Sequence, residues 1–185
     1  MNVVQKVENF VEDECKKPGS KYGYEPFIYH FKQTVEYAGK LSDEFGGDRE
    51  VILIAAWLHD IGSIVEGRKN HHVSGAKIAE TKLKIFGYPT PRIALVKKCI
   101  HNHRGSKSYE RLSIEEKIVA EADIMSVFDN ISGIFKAAFV YENLDQGEAI
   151  KSVRKKLINK WKRLHFQSSK KMLKSKYEAA MILLK

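Results

Sequence analysis

The sequence contains few of the features that mark secreted, membrane-spanning or disulfide-stabilised proteins. Its 185 residues include two cysteines, Cys15 and Cys99, with no CxxC motif. Such cysteines are interpreted as reduced thiols. No apolar run approaches the roughly 18–20 residues of a membrane span. The first residues, MNVVQKVENFVEDE, lack the basic and apolar regions of a signal peptide. We therefore expect a cytoplasmic protein that does not associate with a membrane.

The composition predicts a soluble globular chain. Apolar residues make up 43% of the sequence and charged residues 30%, a balance that argues against disorder. A chain of this length buries roughly two-thirds of its unfolded surface, so its core needs neither a disulfide nor a structural metal. The length suits one domain with or without an appendage.

The positive charge is concentrated near the end of the sequence. The formal net charge is +9, yet residues 151–185 alone hold 12 lysines and arginines and a single acid, Glu178. The first 150 residues are close to neutral. A basic segment attracts polyphosphates, nucleic acid or a membrane surface, although it is also compatible with a solvated helix face.

Apolar residues recur almost everywhere at helical spacing. The sequence shows no strand alternation, internal repeat or low-complexity stretch, so we predict an all-α helical bundle. Gly62 and Gly67 are assigned to a loop. The predicted helices span residues 3–16, 25–45, 49–60, 70–86, 90–102, 113–128, 147–166 and 168–184.

Histidines and aspartates lie at the ends or within the apolar faces of several successive predicted helices. An unpaired carboxylate such as Asp60 or Asp123 is costly to bury unless a cation or hydrogen-bond donors compensate it. Imidazole and carboxylate groups that converge on one cavity suit a divalent transition metal. Any one of these histidines alone is better explained as a capping or core residue, but the ordered set favours a metal site. The set is His30, His59, Asp60, His71, His103 and Asp123.

The stretch Ala55-Ala56-Trp57-Leu58-His59-Asp60-Ile61-Gly62 resembles the signature of the HD superfamily of metal-dependent phosphohydrolases. His30 matches the upstream histidine of that family and Asp123 matches the downstream aspartate, which completes the order H…HD…D. The resemblance covers residues 25–130. It implies an all-α HD-domain bundle to which a basic C-terminal helix pair is appended.

The sequence is also similar to the subset of HD proteins that has two further histidines between the HD pair and the last aspartate. Counting from the neighbouring small and apolar residues assigns these to His71 and His103, with His72 and His101 as alternatives. Related six-ligand sets occur in di-iron HD proteins, including diadenosine tetraphosphate hydrolases and HD-GYP phosphodiesterases. The GYP motif is absent here, and Ser63 replaces the lysine usual after HDIG, which disfavours the cyclic-dinucleotide activity.

The resemblance implies hydrolysis of a phosphate ester or anhydride of a small nucleotide by metal-activated water. One or two divalent ions (Fe, Mn, Co, Ni or Zn) would serve as cofactors, and Asp60 would bridge two of them. Asp60, Arg104 and Lys107 are the predicted catalytic residues. Arg104 and Lys107 are included because cations in loops beside the ligands can stabilise phosphoryl oxygens. Arg68 and Lys69 are weaker candidates for the same role.

The predicted organisation is an N-terminal helix over residues 1–24, a metal-binding core over 25–130, and basic helices over 131–185 within the same domain. Two rival functions stay open. The chain could be an HD nuclease or nucleic-acid binder that uses residues 151–185, or a metal-dependent regulator without turnover. The sequence leaves the substrate and the oligomeric state undecided.

Overall fold

The structure is a computed structural model that describes residues 1–104 and 110–185. It is all-α, as predicted, and no strand occurs in the described residues. In chain order the elements are α1 (Val3–Lys16), a π-helix (Phe27–Phe31), α2 (Lys32–Phe45), α3 (Arg49–Leu58), α4 (Ile61–Val65), α5 (His71–Ile85), α6 (Thr90–Asn102), α7 (Ile114–Ser126), α8 (Ile131–Lys136), a second π-helix (Ala137–Tyr141), α9 (Gln146–Lys162) and α10 (Gln167–Leu183).

The chain forms two compact units, Met1–Asp123 and Ile124–Lys185. The predicted organisation instead separates the core from the basic helices after residue 130. The interpretation of all segments as one domain stays a prediction.

The central helix of the first unit is α3, whose middle is apolar on every side. Its residues from Val51 to Leu58 are buried except Leu53. A helix without a polar face is stable only when other elements surround it, and α1, α2 and α6 pack against it. The Asp48 carboxylate caps its first turn by accepting a hydrogen bond from the Val51 amide at 3.2 Å. The pair His59-Asp60 therefore follows the most deeply buried helix of the unit.

Two segments differ from the sequence-based prediction. Residues assigned to a loop after Asp60 form the short helix α4, which begins where the Ser63 amide donates to the Asp60 carbonyl at 2.9 Å. Helix α8 and the π-helix after it were not predicted. The Asn130 side chain begins α8 by accepting from the Gly133 amide at 2.9 Å, a capping signal that is present in the sequence.

Helices α4 and α5 approach each other closely through two glycines. A Cβ placed on Gly62 would lie 2.2 Å from the carbonyl oxygen of His71 and 2.6 Å from the amide nitrogen of Gly75. A Cβ on Gly75 would lie 3.3 Å from the Gly62 nitrogen. Only glycine leaves room for this backbone contact. It holds the start of α5, with His71, against the segment that follows Asp60.

The second unit contains α9 and α10. Helix α9 begins with a capping box in which Asp145 and Glu148 bond each other's backbone amides. The rings of Trp161 and Tyr177 stack with centroids 4.3 Å apart, and Phe128 presents an edge contact to both. Aromatic pairs of this kind add to the apolar burial between helices.

Both cysteines are buried and free, as expected from their spacing. Burial raises the pKa of the Cys15 thiol to about 12, so this group is poorly reactive at neutral pH. No single helix in the described ranges is both long and apolar enough to cross a membrane. The bent pair Ile114–Ser126 and Ile131–Tyr141 reaches that length and composition when taken together.

Candidate metal centre

His59 lies immediately after α3 and is fully buried. Its Nδ1 is 2.8 Å from the carbonyl oxygen of Ala56, and since a carbonyl only accepts, this nitrogen carries the proton. The Nε2 atom is therefore left with a lone pair. Burial lowers the pKa of His59 to about 4, against the attraction of the Asp60 carboxylate, so the ring is neutral near pH 7. A neutral imidazole with its other nitrogen held by a carbonyl is oriented as a metal ligand.

His30 and Asp123 bring two further ligand atoms to the His59 ring. The Nε2 atoms of His30 and His59 are 2.9 Å apart. The Asp123 Oδ1 atom lies 3.7 Å from the first and 3.9 Å from the second. His30 is in the π-helix Phe27–Phe31. A π-turn holds about one residue more than an α-turn and rotates later side chains accordingly.

Asp60 joins this group from the other side. Its Oδ2 atom is 3.6 Å from His30 Nε2 and 4.0 Å from His59 Nε2. Ligand atoms of His30, His59 and Asp60 lie close enough together to share one metal ion. Asp123 is near the same point, as the last residue of the predicted H…HD…D set.

A second group forms around the other oxygen of Asp60. The Asp60 Oδ1 atom is 3.2 Å from His71 Nε2 and 3.6 Å from His103 Nε2, and those two nitrogens are 3.3 Å apart. These three residues could also hold one metal ion. Asp60 thus presents one carboxylate oxygen to each group, as a bridging ligand would.

The donor set of the second group fits a cation. The Nδ1 atoms of His71 and His103 face the carbonyl oxygens of Arg68 and Ile100 at 2.9 and 2.5 Å, so both are proton donors. In the neutral rings both Nε2 atoms are then acceptors, and Asp60 Oδ1 is a third. Three acceptors at one point repel one another unless positive charge lies between them, and either a metal ion or a proton on one of the rings supplies it. Ligands about 2.1 Å from a shared ion are themselves roughly 3.0–3.4 Å apart, which is close to the distances found.

The charge state of Asp60 agrees with this arrangement. Burial alone would raise its pKa, but the neighbouring imidazoles of His103 and His30 hold the pKa well below the ordinary value. For His103, burial acts to lower the pKa, but the Asp60 carboxylate outweighs it and the pKa is raised. The site is therefore built around an ionised carboxylate that attracts positive charge.

The structure separates the alternative histidines from this centre. The ring of His72 is buried and lies 5.2 Å from the ring of His101, and its Nδ1 accepts from Arg104 Nη1 at 3.3 Å. His101 Nδ1 is 3.0 Å from Asn102 Oδ1. The geometry thus favours His71 over His72 and His103 over His101 as ligands. His72 instead fixes the guanidinium of Arg104.

The cations predicted to contact phosphate differ in their burial. Arg104 is half-buried beside His72, whereas Arg68 and Lys69 are exposed. Lys107 lies outside the described residues. The Arg111 side chain donates to the carbonyl oxygens of Asn102 and His103 at 2.9 and 3.3 Å. This clamp on the end of α6 was not predicted from the sequence, because nothing in the local pattern links Arg111 to a helix nine residues earlier.

The sequence pattern of the HD domain matches residues 27–127. A tRNA (cytidine(56)-2'-O)-methyltransferase from Picrophilus torridus is 27% identical over 159 residues, which is 78% of this chain and 44% of that protein. The chain therefore spans less than half the length of that relative.

Solved structures share the fold over nearly the whole chain. An HD-superfamily hydrolase from Bacillus thuringiensis is 19% identical with a TM-score of 0.74, over 98% of this chain and 92% of that one. Bacillus subtilis YpgQ, solved in complex with ADP, is 17% identical with a TM-score of 0.71, over 97% and 92%. At these identities the similarity establishes the fold.

Proposed function

Because the chain belongs to the HD domain family, we propose that it is a metal-dependent phosphohydrolase that cleaves an ester or anhydride bond of a small nucleotide. Family membership supports a metal-dependent hydrolase. The observation that carries the proposal further is the carboxylate of Asp60, which turns one oxygen to each of two histidine groups. Two ligand groups joined by one carboxylate are the arrangement used to activate water and clamp phosphate oxygens.

The ligand assignment follows from the two groups. His30, His59, Asp60 and Asp123 would hold one divalent ion, and Asp60, His71 and His103 would hold a second. When bound, the metal would supply an activated water and neutralise charge on the phosphate. Imidazole and carboxylate ligands suit Fe, Mn, Co, Ni or Zn without selecting among them.

The protein's own residues would orient and protect this chemistry. Carbonyl oxygens of Ala56, Arg68 and Ile100 orient the rings of His59, His71 and His103, so these three rings already face the site before a metal binds. Arg104, held by His72, would provide a positive charge for phosphate oxygens. Lys107, which lies outside the described residues, would supply a second positive charge.

A nucleotide is the substrate class that we favour. The YpgQ structure, which shares this fold, was solved with ADP, so an HD bundle of this shape can bind a nucleoside diphosphate. The alternative of a metal-dependent regulator without turnover predicts the same metal content but no hydrolysis.

Metal analysis of untagged protein tests the proposal. We expect about two transition-metal ions per chain after loading with Mn(II) or Fe(II). The double variant His59→Ala/Asp60→Ala should lose both ions, and His71→Ala/His103→Ala should keep one. His165→Ala removes an exposed histidine of the second unit and serves as the matched control, with unchanged metal content.

Hydrolysis is then assayed on nucleoside mono-, di- and triphosphates and on dinucleoside polyphosphates. We expect release of phosphate or pyrophosphate from at least one of them, dependent on metal and abolished by His59→Ala/Asp60→Ala. Arg104→Ala should lower kcat/KM by about 100- to 1000-fold without changing metal content, in line with loss of one charge-stabilising donor. Full metal loading with no turnover of any substrate would refute the enzyme and favour the regulator.

A further inference from the structure

The second unit carries a large positive charge that its own carboxylates only partly balance. Residues 151–185 contain 12 lysines and arginines and one acid. Lys156 pairs with Glu142 at 2.6 Å, and Lys176 pairs with Asp129. Most of the remaining cations of α9 are exposed.

Three exposed lysines of α9 form a line along one side of the helix. They are Lys151, Lys155 and Lys162, and at about 100° per residue they lie within roughly 40° of one another around the axis. The line extends about 16 Å at 1.5 Å per residue. Among the described residues, no carboxylate forms an ion pair with any of the three. We call these residues the α9 lysine line.

The opposite side of α9 explains why the line faces outward. Ala149, Val153 and Leu157 are fully buried, so packing fixes the rotation of the helix and leaves the lysines in solvent. A surface that serves only solubility mixes charges of both signs. A line of one sign repels itself, and an extended polyanion relieves that repulsion.

We propose that the α9 lysine line binds the sugar–phosphate backbone of a nucleic acid strand. A strand places phosphates every few ångströms, so a line of about 16 Å faces several of them at once. The apolar side of α9 is already buried in protein, whereas a helix that lies on a membrane needs that side for the lipid. The line supplies the charge that a polyanion needs, and the burial of the apolar side favours a nucleic acid over a membrane surface. The contacts are to phosphate, so we expect little dependence on base sequence.

The test measures binding of a fluorescein-labelled oligouridine of about 20 nucleotides by polarisation, with oligothymidine and duplex DNA of equal length as further probes. The variant is Lys151→Gln/Lys155→Gln/Lys162→Gln. The matched control is Lys21→Gln/Lys77→Gln/Lys98→Gln, which removes the same charge from three exposed lysines of the first unit. Circular dichroism establishes that both variants are folded.

The slope of log Kobs against log salt is negative, and for single strands each lost phosphate contact reduces its magnitude by about 0.7. The slope of the α9 variant should therefore be smaller in magnitude by about 2. Between about 50 and 200 mM salt, the affinity of the parent protein should therefore fall roughly 20-fold more than the affinity of the α9 variant. The control should keep the parental slope. The proposal is wrong if both variants behave alike, if no probe binds at low salt, or if the α9 variant loses affinity only for vesicles of anionic phospholipid.

Discussion

Replacement of Gly62 by alanine probes the contact that links the fold to the candidate metal centre. The new Cβ would lie 2.2 Å from the His71 carbonyl oxygen and 2.5 Å from Ser74 Oγ. Ordinary carbon–oxygen contacts are about 3.3 Å or longer. The serine side chain can rotate, but the backbone oxygen at the start of α5 must move by about 1 Å.

The structure sets the size of the expected effect. Forcing an extra methyl into a packed site costs typically 1–3 kcal/mol, and a backbone contact places Gly62→Ala at the upper end, near 3 kcal/mol. The lower entropy of the unfolded alanine chain offsets about 0.4–1 kcal/mol. A net loss of about 2 kcal/mol lowers the Tm of a chain of this size by roughly 4–8 °C. Because His71 Nε2 is 3.2 Å from Asp60 Oδ1, the same shift should weaken the second metal group more than the first.

Thermal unfolding and metal content are measured on the same samples. Gly147→Ala is the matched control, since its Cβ meets only Asp145 Oδ1 at 3.5 Å and alanine favours the helix α9. It should leave Tm equal or slightly higher. The reasoning fails if Gly62→Ala unfolds at the same temperature as the parent protein and still holds both ions.

Three further predictions concern the first unit. Asp48→Ala removes both the N-cap of α3 and an ion-pair partner of Arg92. It should lower the free energy of unfolding, measured in urea, by about 1–2 kcal/mol, and the exposed ion pair should contribute the smaller part. An unchanged urea midpoint would contradict this. Tyr88→Phe removes a buried hydroxyl that has no hydrogen-bond partner among the described residues, so equilibrium unfolding should show neutral or increased stability, and a loss above about 1 kcal/mol would reveal a partner. The pKa of His59 is lowered to about 4, so near pH 5 the folded metal-free protein binds fewer protons than the unfolded chain. The stability that the neutral His59 ring contributes is therefore fully present above about pH 6.5. As pH falls towards 4, the free energy of unfolding should decrease by about 3 kcal/mol. The raised pKa of His103 has the opposite effect on stability, so the pH dependence of unfolding is compared between the parent protein and His59→Asn, in which His103 is retained. Identical pH profiles of the two proteins would refute the prediction.

Much of the secondary structure could be predicted because its signals are local. The predicted fifth helix, 90–102, coincides with α6, since Pro91 stands in its first turn and its apolar residues recur regularly. Helix α4 was missed because five residues are too few to show a period, and Gly62 suggested a loop. That glycine instead serves a close contact with α5, which no local pattern reveals.

The candidate site could be predicted in its membership but not in its geometry. The sequence indicated which histidines and aspartates to consider, because buried carboxylates and imidazoles on apolar helices need a compensating partner. It could not separate His71 from His72, which are neighbours in the chain. The structure favours His71 because its Nε2 faces Asp60, while His72 contacts Arg104.

The sequence by itself determined the all-α class, the apolar surroundings of the His59-Asp60 pair and the concentration of charge in residues 151–185. These follow from residue type and spacing, which act over one or a few helical turns. Only the tertiary structure decided that the two oxygens of Asp60 face different histidine groups, and that carbonyl oxygens orient the rings. His71 and His103 are 32 residues apart, and their Nε2 atoms meet at 3.3 Å only because the glycine contact and the packing of α5 and α6 bring them together.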